Sequence, residues 1–216
     1  PNASFLNSLQ GTAPGASVLS SSGSPGSGKI DILIRGASSL NASTDPLVVI
    51  DGVPTNGNQF RSLNQNDIET VTILRDAAAT SVYGNRGANG VILITTKKGA
   101  IGKPRISYSN STSFSRPFIT PEFQNTYGRK EGEFKSWGDK LEKPSDYNPL
   151  DFFQTGFNTM NSIAVSTGTE TNQTHISFGS VNSEGVIDNN KYNRYNFTFR
   201  NSLDIVKDVL SMDMGL

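Results

Sequence analysis

The chain has 216 residues, 19 basic and 19 acidic, with a formal net charge of +0 and a pI of about 7.2, so nothing in its charge draws it to nucleic acid or anionic lipid. It has no cysteine, which excludes disulfides, thiolate metal sites and cysteine nucleophiles and leaves the redox compartment open. Charged residues make up 18%, below the ~25% usual in soluble domains, and Ser, Thr, Asn and Gly fill the gap, a composition that favours strands and loops.

No run of ~18 apolar residues occurs, which excludes a transmembrane helix and leaves transmembrane strands open. Pro1 is followed by no charged-then-apolar leader pattern, so any secretory signal is expected to lie outside this sequence. Residues 11–29, "GTAPGASVLSSSGSPGSGK", read as a linker or irregular packed coil, with Val18 and Leu19 favouring partial packing. "KIDILIRG" predicts a compact apolar strand ending at Arg35 and Gly36, and "PLVVIDGVP" predicts another, bounded by Pro46 and a turn at Asp51-Gly52. Val71 and Ile73 alternate with Thr70 and Thr72, which predicts a strand over 68–75. Asp76 is a suitable N-cap for a short helix over 77–83, and Gly84 suits the left-handed position that closes it. A strand over 91–97 follows. Four strands and one or two short helices imply a small α+β domain.

The stretch "YGNRGANGV" sets Gly84, Gly87 and Gly90 around Arg86. Nucleotide loops need the order strand, glycines, helix, so that backbone N–H groups and the helix N-terminus face phosphate. Here a helix precedes the glycines and a strand follows, and Gly90 is followed by Val91 in place of lysine. The order is reversed, and a mechanical role is expected.

After Gly99 the texture changes. In "RISYSNSTSFSR", Ile106, Tyr108, Asn110, Thr112 and Phe114 alternate with five serines. Ile163 and Val165 oppose Ser162 and Ser166, Ile176 and Phe178 oppose His175 and Ser177, and Tyr195, Phe197 and Phe199 oppose Arg194, Asn196, Thr198 and Arg200. Leu210, Met212, Met214 and Leu216 oppose Ser211 and Asp213. A half-solvated soluble sheet has this period, and so does an outer-membrane barrel wall. The connections favour the barrel: a long loop over 117–155, a tight "TGTETN", a longer "NSEGVIDNNK" and a tight "DIVKD" alternate as extracellular loops and periplasmic turns do. Some five strands cannot close, since the smallest barrel uses about eight, so the chain is expected to be part of something longer.

"IRG", "PLVVIDGVP" and "LNQNDIETVTILRDAAATSVYGNRGANGVILITTKKG" closely resemble the plug domain of SusC/RagA-family TonB-dependent outer-membrane transporters, and "DFFQTGF" and "NSEGVIDNNKYNRYNFTFRNSLD" resemble the opening barrel segments of that family. Gln65 stands where the family usually has proline, and Arg75 where lysine is common. The resemblance implies an α+β plug domain over 1–99 and the antiparallel N-terminal part of a transmembrane β-barrel over 100–216, in a family whose barrels have about 22 strands. It implies TonB-dependent import of an oligosaccharide or oligopeptide across the outer membrane of a Gram-negative bacterium, of the Bacteroidota, without enzymatic chemistry. The implied partners are a SusD-like surface lipoprotein, the TonB–ExbB–ExbD complex, the substrate and outer-membrane lipid, with no cofactor and no nucleic acid. A soluble β-rich adhesin or interaction module is the alternative.

In that frame Gly36, Gly52, Gly84, Gly87 and Gly90 are expected to form sharp plug turns, and Arg35 and Arg86 to offer forked donors that lock the plug to wall carboxylates. Outward plug loops carry candidate substrate contacts: Ser38, Ser39 and Asn41, then Asn56, Asn58, Gln59, Phe60 and Arg61, where a stacking ring sits beside amides. Tyr127, Phe134 and Trp137 either line the binding cavity or pack the first long loop. No catalytic set or metal site is expected: the only histidine, His175, has no partner motif, and Asp45, Asp51, Glu131 and Glu133 read as solvated charges without a calcium-loop pattern.

Overall fold

The computed structural model describes residues 16–20, 24–26, 30–34, 45–55, 60, 62–74, 76–134, 137–206 and 209–216. The first two strands, β1 (Ala16–Ser20) and β2 (Ile30–Ile34), form an antiparallel pair, so part of the span read as coil is a strand. The pairing partner lies ten or more residues along the chain, beyond the reach of a local composition reading.

The plug sheet has the order β4 (Val53–Thr55), β3 (Leu47–Ile50), β6 (Val91–Thr96), β5 (Ile68–Leu74). The two inner strands, β3 and β6, run parallel, and both read as continuous apolar runs because both of their faces are covered. On one face Val48, Ile92 and Ile94 pack around Phe60; on the other Val49 and Val91 pack around Ala79. Ala79 belongs to α1 (Asp76–Tyr83), which lies in the connection between the antiparallel neighbours β5 and β6. Asp76 is therefore its first helical residue.

β3 and β4 are joined at Asp51 and Gly52, whose φ values of 49° and 85° give the two-residue turn whose twist matches its strands. Gly84, at φ 60°, closes α1 as expected and opens a 3₁₀ turn, Gly84–Gly87. Gly87 is buried: a Cβ there would sit 2.6 Å from the Ala79 carbonyl oxygen. Gly90 then turns at φ 90° into β6.

Beyond Gly99 five strands form one antiparallel sheet in sequence order: β7 (Gly102–Ser115), β8 (Gly156–Gly168), β9 (Asn172–Glu184), β10 (Lys191–Val206) and β11 (Leu210–Gly215). The predicted alternation is obeyed in register. Tyr108, Ile163, Phe178 and Phe197 lie opposite one another on the outer face, and all four are exposed. On the inner face Ser162, His175 and Ser177 are buried against the plug. The wall thus turns its apolar side outward and its polar side inward, the reverse of a soluble sheet folded on its own core.

Candidate functional site: the seam between plug and wall

The plug meets the wall through a 3₁₀ turn, Gln65–Asp67, that leads into β5. Asn64 caps this turn: its side-chain oxygen accepts from the Asn66 N–H at 3.0 Å, and its amide donates to Ser162 Oγ on β8 at 3.0 Å. One asparagine therefore both ends a plug turn and fastens it to the wall. Gly179 on β9 makes room for it, since a Cβ at that position would lie 2.8 Å from the Asn64 amide nitrogen. Gln65, where the family usually has proline, brings its side-chain amide to 4.0 Å from the Met160 sulfur.

Asp67 is the centre of the seam, with 2% of its surface exposed. Its Oδ2 accepts from Ser177 Oγ on β9 at 2.6 Å and from Thr198 Oγ1 on β10 at 3.0 Å. His175 Nε2 lies 3.5 Å from Oδ1, a contact of proximity and charge without aligned hydrogen-bond geometry, and neither atom has a hydrogen-bond partner among the described residues. On the far side of the ring, His175 Nδ1 and Ser166 Oγ are 2.7 Å apart. The tautomer consistent with both contacts has Nδ1 accepting from the hydroxyl and Nε2–H facing Asp67. Burial alone pushes the Asp67 carboxyl up, but the His175 Nε2–H that faces it and the hydrogen bonds from Ser177 and Thr198 together hold it below its ordinary 3.8. The carboxylate form is the one this pocket is built to hold.

A second carboxylate closes the seam a short way along the sheet. Asp51, at the β3–β4 turn, accepts from the Thr96 N–H at 2.9 Å and from Thr96 Oγ1 at 2.8 Å, and it forms an ion pair with Arg200 of β10. The Asn196 amide donates to the Ser62 carbonyl in the same interface. Where the chain leaves the plug, Lys98 pairs with Asp213 of β11 at 3.4 Å, and Gly99 presses against the Gln173–Thr174 backbone with no space for a Cβ.

Several expectations change here. Phe60, expected to present a stacking ring to substrate, is 4% exposed and sits in the plug core with Val48, Ile92 and Ile94. Its ring is the largest apolar body in its segment, and burial against β3 and β6 stabilises it more than exposure beside amides would. Asp51, read as a solvated charge, is bound by Thr96 and Arg200. His175 is buried in the seam, with Nδ1 beside Ser166 Oγ and Nε2 facing Asp67. Arg86 is exposed and forms no ion pair among the described residues. The Asp51–Arg200 pair has the opposite polarity to the one expected, with the carboxylate on the plug and the arginine on the wall, while Lys98–Asp213 sets a plug cation against a wall carboxylate.

Arg35, Gly36, Ser38, Ser39, Asn41, Asn56, Asn58, Gln59 and Arg61 lie outside the described residues. In the first long loop Tyr127 and Trp137 pack ring to ring at 5.7 Å, Tyr127 bridges to Lys140, and Phe134 and Trp137 stay exposed. Lys130 and Glu133 pair at 3.7 Å. Sequence reasoning missed Asp67 and Asn64. The signal available was the polar run "NQND" immediately before a strand, facing nothing that a local reading can see.

A plug held by polar contacts inside an antiparallel wall with an apolar exterior defines the class of TonB-dependent outer-membrane receptors. Residues 1–91 match the family model of the TonB-dependent receptor plug domain. The chain is 36% identical to the TonB-dependent receptor SusC of Bacteroides thetaiotaomicron across 96% of its own length and 22% of that protein's. It is 32% identical to a TonB-dependent receptor of Formosa agariphila across 96% of its length and 20% of the relative's. A solved structure of the RagAB peptide importer in a closed-closed state superposes with a TM-score of 0.80 at 28% identity, covering 96% of this chain and 28% of that one. Another of the RagAB peptide transporter gives 0.81 at 26%, with the same coverage. The chain carries a TonB-dependent receptor plug domain, resembles SusC- and RagA-type receptors over nearly all of its length, and spans about a fifth of the length of the curated relatives it matches.

Proposed function

We propose that this chain is the plug and leading wall of an importer that uses TonB-transmitted energy to move a nutrient oligosaccharide or oligopeptide across the outer membrane. In this reading it is the SusC-like half of a complex with a SusD-like surface lipoprotein, and no covalent chemistry is involved. The observation that carries the proposal is the seam itself. Asp67, Asp51 and Asn64 fasten the plug to three wall strands through hydrogen bonds and one ion pair, not through a continuous apolar interface.

Such contacts contribute about 0.5–1.5 kcal/mol each when neutral and about 1.5–3 when one partner is charged. Water can replace them one at a time. A pulled plug can therefore yield in steps, whereas a dry apolar seam of equal strength would have to part at once. Arg35 and Arg86 are assigned further locking contacts to wall carboxylates beyond these strands, and the loops holding Ser38, Ser39, Asn41, Asn58, Gln59 and Arg61 are assigned the outward, substrate-facing side. The RagAB likeness supports the peptide arm of the substrate class.

The test is uptake of labelled oligopeptides and oligosaccharides by cells carrying the full-length transporter as their only importer of that type. Uptake that requires both the transporter and TonB is expected. Accumulation that persists without TonB would overturn the reading.

A further inference from the structure

One contact across the seam is weak by its chemistry. The side-chain amide of Gln65, on the plug turn, lies 4.0 Å from the Met160 sulfur on β8. A thioether accepts hydrogen bonds poorly, so the amide gains little from this partner. Met160 is only 8% exposed. It nevertheless lines a half-open recess of about 20 Å³ between plug and wall, with Leu63, Gln65, Asn66, Val181 and Arg194 around it. That space holds about one water molecule.

Hydrogen peroxide is barely larger than water and fits the same space. A thioether is a nucleophile towards it. The sulfur lone pair attacks one peroxide oxygen, and the S–O bond forms as the O–O bond breaks. The departing hydroxide takes the proton from the transferred oxygen and leaves as water. Sulfur has then lost two electrons to the peroxide, and the product is methionine sulfoxide.

The recess suits that product. A sulfoxide oxygen on Met160 is a strong acceptor one bond from the sulfur that the Gln65 amide already approaches, and Gln65, exposed at the start of its turn, has room to meet it. Arg194 shares the cross-strand row of Met160 through Val181 and brings further N–H donors. No acidic side chain lines the recess among the described residues. Oxidation therefore replaces a poor bond between plug and wall with a good one.

We propose that Met160 is a modification site for hydroperoxides, and that its sulfoxide latches the plug to the wall through the Gln65 amide. The latch goes beyond the import reading and requires only that the plug is seated in the wall. The other two methionines of the chain, Met212 and Met214, lie in register with Leu203 and Asn201 on the outward face, away from the seam, and serve as internal controls.

The test treats the full-length transporter with hydrogen peroxide while the plug is in place, locates sulfoxide by mass spectrometry, and reads plug release as the urea midpoint of the conductance rise in planar bilayers. Met160 is expected to oxidise without urea, and the midpoint to rise by roughly 0.5 M. Met160→Leu keeps the apolar volume and should show no rise. Gln65→Pro should still oxidise at Met160 yet show no rise. Proline suits the first position of such a turn, and Asn64 before it is already extended, at φ −76° and ψ 119°. Heat-modifiable migration checks that each variant is folded. An unchanged or lowered midpoint after oxidation of Met160 overturns the latch, and so does an equal rise in Met160→Leu or Gln65→Pro. Oxidation of Met160 only after urea has released the plug overturns the site itself. None of these readouts involves uptake, so the latch and the import reading fail separately.

Discussion

Replacing Asp67 with alanine should release the plug from the wall more than any other single change among the described residues. The substitution removes two charge-assisted hydrogen bonds, at 2.6 and 3.0 Å, and leaves Ser177 buried without its acceptor and His175 buried without the carboxylate it faces. Each such bond contributes about 1.5–3 kcal/mol net, and breaking one side of a buried charged cluster typically costs about 3–5. Rebonding of the freed hydroxyls to nearby carbonyls reduces this, so a loss of about 3 kcal/mol is expected. Release is measured as the rise in conductance of the full-length transporter in planar bilayers as urea increases. At ~1–3 kcal/mol per molar urea, the midpoint should fall by roughly 1–3 M. The double variant with Ser177→Ala should be less destabilised than the sum of the singles, by about 1 kcal/mol or more. An unchanged midpoint for Asp67→Ala, or strict additivity with Ser177→Ala, would refute the assignment of Asp67 as the anchor.

The remaining predictions concern acid, the plug core and the second carboxylate. Because the folded-state pKa of Asp67 lies below its ordinary 3.8, its contribution is complete above that value and is lost as pH falls through the folded pKa. Plug release measured against pH should therefore become easier below pH 3.8, and Asp67→Asn should abolish that acid-dependent limb. Phe60→Ala should cost the plug about 3–5 kcal/mol through the cavity left among Val48, Ile92 and Ile94, seen as increased proteolysis of the plug. Arg200→Ala should weaken plug retention by about 1–3 kcal/mol, less than Asp67→Ala, because both members of its pair with Asp51 are partly solvated and Asp51 keeps its two bonds from Thr96; the urea midpoint reads the difference.

Much of the architecture was legible because it is local. The apolar runs of β3 and β6, the two-residue turn at Asp51 and Gly52, the glycine after α1 and the alternation of β7 to β11 each follow from the few residues that make them. Even the sidedness of the wall was visible, since His175 and Ser177 share a face with the polar side of the neighbouring strand. What stayed hidden was which plug residue meets that face. Asp67 is 110 residues from Ser177 and 131 from Thr198 along the chain, and Asn64 is 98 from Ser162. No periodicity links such positions. Phe60 misled for a related reason: an aromatic among amides looks like a binding loop until the strands that bury it are brought to it. Asp51 misled because a hairpin turn is normally solvated, and only the wall makes this one an anchor.

The central claim is that the polar seam is the surface along which the plug must part from the wall for transport. A reversible tether across it tests this directly: Asn64→Cys with Ser162→Cys, whose native side chains meet at 3.0 Å, joined by oxidation in the full-length transporter. Uptake should stop when the disulfide forms and return on reduction, with each single variant still transporting under oxidation. Full uptake by the oxidised, cross-linked transporter would contradict the account.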